Sequence, residues 1–212
     1  MNDLPDQLLA VTDRHLSIRP ILEQVADILS GGARWIWLRD RDLPREERRH
    51  LAFQVRELAA CHGASLTIGS DVELARETAA TGVHLAGLET VARARLTLGV
   101  ERLLGMSCHS VADVAAAARA GADYVTLSPI FASLSKPGYG PALGTEALGA
   151  AAELPIRVIA LGGVTPGTAR ACMSAGCAGV AAMGPLMASA RPGVLINEFR
   201  AAMAPDGQLG TR

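Results

Sequence analysis

Lysine is almost missing from this chain: of 20 basic side chains in 212 residues, 19 are arginine and only Lys136 is lysine. Two explanations stay open for the exception. Either codon drift left one lysine behind, or this position needs a compact ammonium on a flexible stem where a wide planar guanidinium will not serve. Long apolar runs are missing too. Half the residues (50%) are hydrophobic, yet no run reaches the roughly 18 residues that a membrane-crossing helix requires, which predicts a soluble protein with no membrane partner. The opening stretch MNDLPDQLLAVTDRH has no basic region ahead of an apolar core. It does not read as a signal peptide, and a cytoplasmic location is expected. Metal-ligand cysteine spacings are absent as well: Cys61, Cys108, Cys172 and Cys177 are scattered and read as free thiols that pack as small hydrophobes. Neither sign of charge dominates. The net charge is -1 with acidic and basic residues interleaved, so no electrostatic stripe for nucleic acid is present.

What is present is an alternation. Short runs rich in β-branched and apolar residues alternate with longer helical patterns, the signature of repeated strand-helix units around a parallel sheet. Eight strands are expected at about 8–12, 34–39, 65–69, 82–86, 102–107, 124–128, 157–161 and 178–183, with eight helical segments. Glycines at Gly31-Gly32-Ala33, Gly82-Val83, Gly121-Ala122 and Gly176-Cys177 read as the C′ positions that end helices and turn the chain into the next strand. The length suits one domain with a full core. The expected fold is α/β, a single (β/α)₈ TIM barrel over residues 1–204, with the polar segment 205–212 as a frayed tail.

In such barrels the active site is built from the loops that follow the strands. That rule selects Thr12, Asp13 and His15 after strand one; Arg39, Asp40 and Arg41 after strand two; Ser70 and Asp71 after strand three; Glu89 after strand four; and Ser107, Cys108 and His109 at the end of strand five. From Pro129 to Gly144 no periodic pattern is visible, and an irregular loop of this length in a compact domain is usually a lid or a binding loop. Lys136 lies in its middle. Gly162-Gly163 after strand seven and Met183-Gly184 after strand eight occupy the places where barrels commonly bind phosphate through backbone N–H groups, glycine permitting the close approach. Along strand two, Trp35, Trp37 and Arg39 share one face and Ile36 and Leu38 the other. The aliphatic face should meet the helices, leaving the first set inside the barrel. There Trp35 reads as core filling, Trp37 as core or as a flat ring for a ligand, and Arg39 as a charge that must be paired. His84, within strand four, reads first as a satisfied core histidine and second as a catalytic one. His109, at the rim, is the better acid/base candidate by position.

Several stretches together resemble the thiamine phosphate synthase superfamily, which also contains the thiazole tautomerases: AVTDR, LRDR, GVHL, SCHS, GADYVTLSPIF, SLSKPG, IALGGVTP and GVAAMGPL. The resemblance runs over nearly the whole chain. It implies a (β/α)₈ barrel that joins a hydroxymethylpyrimidine pyrophosphate to a thiazole phosphate and expels pyrophosphate with the help of Mg²⁺. It further implies that Gly162, Gly163, Met183 and Gly184 hold the thiazole phosphate. Lys136, with Ser133 and Ser135 standing where synthases carry Thr-x-Thr-Lys, would face the pyrophosphate or the reacting ring. Ser107 and Arg39 fall on site positions of the family, and a homodimer is the mild expectation.

The departures from the family pattern are specific. The Asn-Asp pair after strand three reads Gly69-Ser70, and the Gln-Glu-Asp after strand four reads Gly87-Leu88-Glu89. The glutamine and lysine of the synthase Gln-x-Arg-x-Lys stretch are Trp37 and Arg41. Because a divalent ion needs anionic oxygen ligands, Glu89 and the neighbouring Asp71 are the remaining candidates for a weakened metal site. The favoured reading is a synthase-like transferase with Lys136, Arg39 and His109 in catalytic roles and Ser107, Ser133, Ser135, Trp37 and Arg41 against substrate. The alternatives are a tautomerase-like isomerase that moves a proton through His109 and a non-catalytic protein that binds thiamine-pathway phosphates.

Overall fold

The computed structural model describes residues 2–132 and 140–204. Eight strands, β1 (Leu8–Val11), β2 (Trp35–Leu38), β3 (Ser65–Gly69), β4 (Gly82–Leu85), β5 (Leu103–Cys108), β6 (Tyr124–Leu127), β7 (Arg157–Ala160) and β8 (Gly179–Ala182), pair in parallel in sequence order. The ring closes where Leu8, Leu9 and Ala10 of β1 meet Val180, Ala181 and Ala182 of β8. Each strand lies within a residue of its expected span. The helices around the ring are α1 (Ile21–Ser30), α2 (Arg45–Cys61), α3 (Val72–Glu77), α4 (Val91–Leu98), α5 (Val111–Ala120), α6 (Gly144–Ala152), α7 (Pro166–Ser174), α8 (Gly184–Met187) and α9 (Pro192–Met203). Among the described residues the expected eight helical segments become nine α-helices, because the single turn α8 precedes the long α9.

The strands are four to six residues long and almost wholly buried, as a sheet covered on both faces must be. Side-chain alternation divides the apolar residues into two cores. Leu9, Val11, Trp35, Trp37, Leu103, Tyr124, Ile159 and Ala181 fill the barrel, while Ile36, Leu38, Leu104, Val125 and Val158 pack outward with the helices. The expected division of strand two therefore holds. Gly105 is small because of this filling: a Cβ there would lie 2.2 Å from the Tyr124 ring and 2.5 Å from His84 Nδ1. Gly82 corrects the sequence reading. It is not a C′ glycine, since α3 ends at Glu77 and Gly82 opens β4, where a Cβ would meet the Leu103 carbonyl at 2.2 Å. Close strand approach, and not a helix stop, explains it. Gly121, by contrast, does end α5 in the left-handed conformation with φ 88°.

Among the described residues no helix is long and apolar enough to cross a membrane. The expectations for Ser133, Ser135, Lys136 and the 205–212 tail fall outside the described residues.

Candidate active site

The loops after β1 and β2 are joined by one buried carboxylate. Asp40, only 4% exposed, accepts from the Thr12 hydroxyl at 2.5 Å and from the Arg14 backbone N–H at 2.7 Å. Thr12 Oγ1 in turn accepts from the Arg39 N–H at 3.0 Å. A buried charge persists only when its lone pairs are used, so this network fixes where Arg39 leaves the barrel. Arg39 then reaches Asp13 at 2.9 Å, the pairing that an interior cation required. One step outward, Arg14 grips Asp42 with both terminal nitrogens, at 2.6 and 2.7 Å, and His15 Nε2 adds a third contact at 2.7 Å. The Arg14 hydrogen bonds first, and then the one from His15, hold the Asp42 carboxyl well below the usual carboxylate range. Asp13, His15, Arg39, Arg41 and Asp42 line an open cavity of about 430 Å³.

Arg41 continues this rim toward β3, donating from Nη1 to Ser70 Oγ at 3.2 Å. Ser70 is one of two non-glycine residues at positive φ among those described (57°), held there by its N–H donating to the His84 carbonyl at 2.8 Å. Asp71 does not face the rim. Its carboxylate caps α3 by accepting from the Leu74 N–H at 2.9 Å and pairs with the buried Arg48 at 3.3 Å. Arg48 also donates to the Gly69 carbonyl, tying α2 to the end of β3, and burial lowers its pKa.

Below the rim, His84 is wholly enclosed. Its Nδ1 lies 3.1 Å from Tyr124 Oη, its Nε2 3.0 Å from Ser107 Oγ and 3.3 Å from Thr126 Oγ1, and the Trp37 ring covers it at 3.9 Å between centroids. Burial, assisted by the nearby charge of Arg41, pushes its pKa down to about 3. It is the core histidine of the first reading, neutral, and its second nitrogen orients Ser107 at the barrel mouth. Trp37 is 93% buried by residue (7% exposed), and its indole N–H has no partner among the described residues. It lies against Gly69, where an added Cβ would be 3.0 Å from Nε1. The bulk at 37 and the missing side chain at 69 are thus two halves of one packing solution.

At the opposite side of the mouth, Gly162 and Gly163 have φ of 90° and 66°, which favours glycine. Both are also closed off sterically: a Cβ on Gly162 would lie 2.8 Å from Pro129 Cα, and one on Gly163 2.4 Å from the Ala132 carbonyl. The β6 exit docks onto this turn through Ile130 N–H to Leu161 O and Phe131 N–H to Gly162 O, each 2.9 Å. Met183 then leads into α8. Gln24, buried on α1, donates to the carbonyls of Leu186 at 2.6 Å, Met187 at 3.2 Å and Ser189 at 2.9 Å, so the short helix is fixed at the end where its carbonyls would be unsatisfied.

His109 Nδ1 donates to the Ser128 carbonyl at 2.9 Å, the carbonyl being able only to accept, and the His109 backbone N–H donates to Asp113 at 3.0 Å. Cys108 corrects its rim assignment: it faces the helices, 0% exposed, and burial drives its thiol up to about 12, out of reach of nucleophilic use. Glu89 sits on a short 3₁₀ turn with its carboxylate folded over the Gly87 backbone. Asp71 and Glu89 are not brought together with a third ligand, and the described residues contain no group of three or more His, Cys, Asp or Glu able to hold a metal ion.

Sequence reasoning missed Arg14, Arg48 and Gln24. All three lie in polar or helical stretches where spacing does not say which side chain turns inward. It named Asp40 without its role as the anchor of two loops.

The thiamine monophosphate synthase family model matches residues 8–186. A thiamine-phosphate synthase of Thioalkalivibrio sulfidiphilus is 38% identical over 193 residues, covering 87% of this chain and 89% of that protein. One from Moorella thermoacetica is 33% identical over 187 residues, with 87% and 89% covered. Among solved structures, the thiamine phosphate pyrophosphorylase of Pyrococcus furiosus superposes with a TM-score of 0.83 at 26% identity, covering 93% of this chain and 95% of that one.

Proposed function

Because the chain belongs to the thiamine monophosphate synthase family, we propose that it joins a hydroxymethylpyrimidine pyrophosphate to a thiazole phosphate, giving thiamine phosphate and pyrophosphate. In this transfer the C–O bond between the pyrimidine methylene and the pyrophosphate breaks, and its electron pair leaves on the pyrophosphate oxygen. The thiazole nitrogen lone pair forms the new C–N bond and the ring becomes a thiazolium cation. No proton moves. The demand on the protein is to neutralise the departing pyrophosphate and hold the two rings in line, which is electrostatic stabilisation by preorganised groups.

One observation carries this reading: the exits of β7 and β8 present glycine-built backbone while the exit of β2 presents two arginines, all at the same end of the closed barrel. On one side lie the positive-φ turn Gly162-Gly163 and the Met183-Gly184 entry into a helix pinned by Gln24. These would hold the thiazole phosphate through backbone N–H groups. On the other lies an arginine-rich rim, Arg39 and Arg41, which would receive the pyrophosphate; the resemblance gives Lys136 to the pyrophosphate or the reacting ring. Ser107, oriented by His84, Trp37, Ser133 and Ser135 would complete the substrate surface. A transfer that moves no proton gives His109 no acid/base step, and the tautomerase alternative that needed one finds no support in the comparisons. In the transferase, His109 orders the β6 exit through Ser128.

The resemblance also implies Mg²⁺. The donor set does not fit it. Ser70 offers a neutral hydroxyl already bonded to a cation, Asp71 is committed to a helix cap and to Arg48, and Glu89 stands apart, whereas a hard dication requires several free anionic oxygens. No step is assigned to it.

The test is to incubate the purified protein with both substrates and to assay thiamine phosphate, with Mg²⁺ and separately with EDTA. Absence of product under both conditions sinks the synthase reading. Thiazole phosphate that raises the melting temperature without turnover would favour the non-catalytic binding alternative.

A further inference from the structure

We infer that the guanidinium of Arg41, held by Ser70 at the barrel mouth, takes the charge-neutralising place that the resemblance gives to magnesium, so that pyrophosphate is bound and released without a metal. This deepens the synthase reading and rests on it.

Three observations support it. First, the carboxylates around the β1, β2 and β3 exits are already used. Asp13 pairs with Arg39, Asp40 serves Thr12 and the Arg14 backbone, Asp42 holds Arg14 and His15, and Asp71 holds the α3 cap and Arg48. A dication entering here would have to break at least one of these pairs. Second, Arg14, Arg39 and Arg48 each have a carboxylate partner among the described residues, while Arg41 has only the Ser70 hydroxyl. Its charge is left for an incoming anion. Third, Arg41 lines the open cavity of about 430 Å³ beside Arg39, so an anion entering there meets its guanidinium.

The chemistry suits the role. A guanidinium stays protonated at all working pH and offers a planar fork that matches two phosphoryl oxygens at once. Arg41 is exposed in the free protein and its field is screened there; a bound substrate that excludes water strengthens it. When the C–O bond breaks and the electron pair passes to pyrophosphate, Arg41 meets the new charge with a cation that no carboxylate among the described residues has claimed.

Titration calorimetry with inorganic pyrophosphate tests this apart from turnover. Wild type in EDTA should bind pyrophosphate, and Mg²⁺ should leave the affinity unchanged or weaken it by competing for the free anion. Arg41→Gln should weaken binding in EDTA at least tenfold, with Arg41→Lys recovering part, and a preserved melting temperature showing that both variants fold. Ser70→Asp should weaken binding in EDTA by pairing with Arg41 and regain it on adding Mg²⁺, positive φ at this position being one that Asp tolerates. Pyrophosphate that binds wild type only when Mg²⁺ is present, or an Arg41→Gln chain that binds in EDTA as wild type does, overturns the inference. Turnover with Mg²⁺ that EDTA abolishes overturns it too, while leaving the synthase reading intact. A chain with no turnover under either condition fails as a synthase, and the calorimetry still decides Arg41.

Discussion

Gly163→Ala puts the turn after β7, proposed above to hold phosphate, under a load whose size follows from the structure. The residue sits at φ 66°, and a Cβ there would lie 2.4 Å from the Ala132 carbonyl and 2.7 Å from the Phe131 carbonyl. The left-handed backbone costs an alanine about 1–2 kcal/mol. Relieving contacts this short against backbone, where no rotamer can turn away, adds about 1–3 kcal/mol. Together these give about 2–5 kcal/mol, and at about 2–4 °C per kcal/mol for a domain of this size the melting temperature should fall by about 4–20 °C. The strain can be relieved only by separating the β7 turn from the β6 exit, so KM for thiazole phosphate should rise at least tenfold. Gly121→Ala separates the two costs. Its φ is 88° but an added Cβ would meet nothing within 4 Å, so it should lose only the backbone cost of about 1–2 kcal/mol and keep wild-type kinetics. Scanning calorimetry and steady-state assays on the pair decide the matter. A Gly163→Ala protein that melts and turns over like Gly121→Ala would refute both the clash and the cradle.

Other outcomes follow from the same geometry. His84 is pushed to about 3 from 6.5 by burial; its folded pKa is depressed, so the unfolded chain takes up the extra proton, and the associated stability is complete above pH 6.5 and lost as pH falls from there toward about 3. The slope should be about 1.4 kcal/mol per pH unit, and denaturant titrations of His84→Gln should show it flattened. Gln24→Ala removes three hydrogen bonds to the end of α8; a loss of about 1–3 kcal/mol is expected in urea unfolding, with KM for thiazole phosphate raised more than kcat is lowered. Of the four cysteines only Cys61 is exposed, so native thiol labelling should modify Cys61 rapidly and reach Cys108, Cys172 and Cys177 only at the rate of unfolding.

Local patterning along the chain determined much of this protein. Eight apolar strands, the inward face of Trp35, Trp37 and Arg39, and the glycine turn after β7 were all legible, because side-chain alternation and positive φ are properties of a few consecutive residues. The resemblance to a synthase was legible for the same reason. What only the closed barrel decided is which charges meet. Nothing local distinguishes Arg48 from its neighbours in REERRH, yet α2 packs it under β3 and gives it Asp71. Asp71 reads as a metal candidate until its oxygens are found capping α3. Cys108 reads as a rim residue until the register of β5 turns it toward the helices, and Gln24 reaches carbonyls 162 and more positions away. Ion pairs and hydrogen bonds act over about 3 Å of space, and ring closure is what brings such distant residues within that range. Which carboxylates remained free for a metal was therefore settled by tertiary structure, even though the serine that removes one of them is visible at position 70.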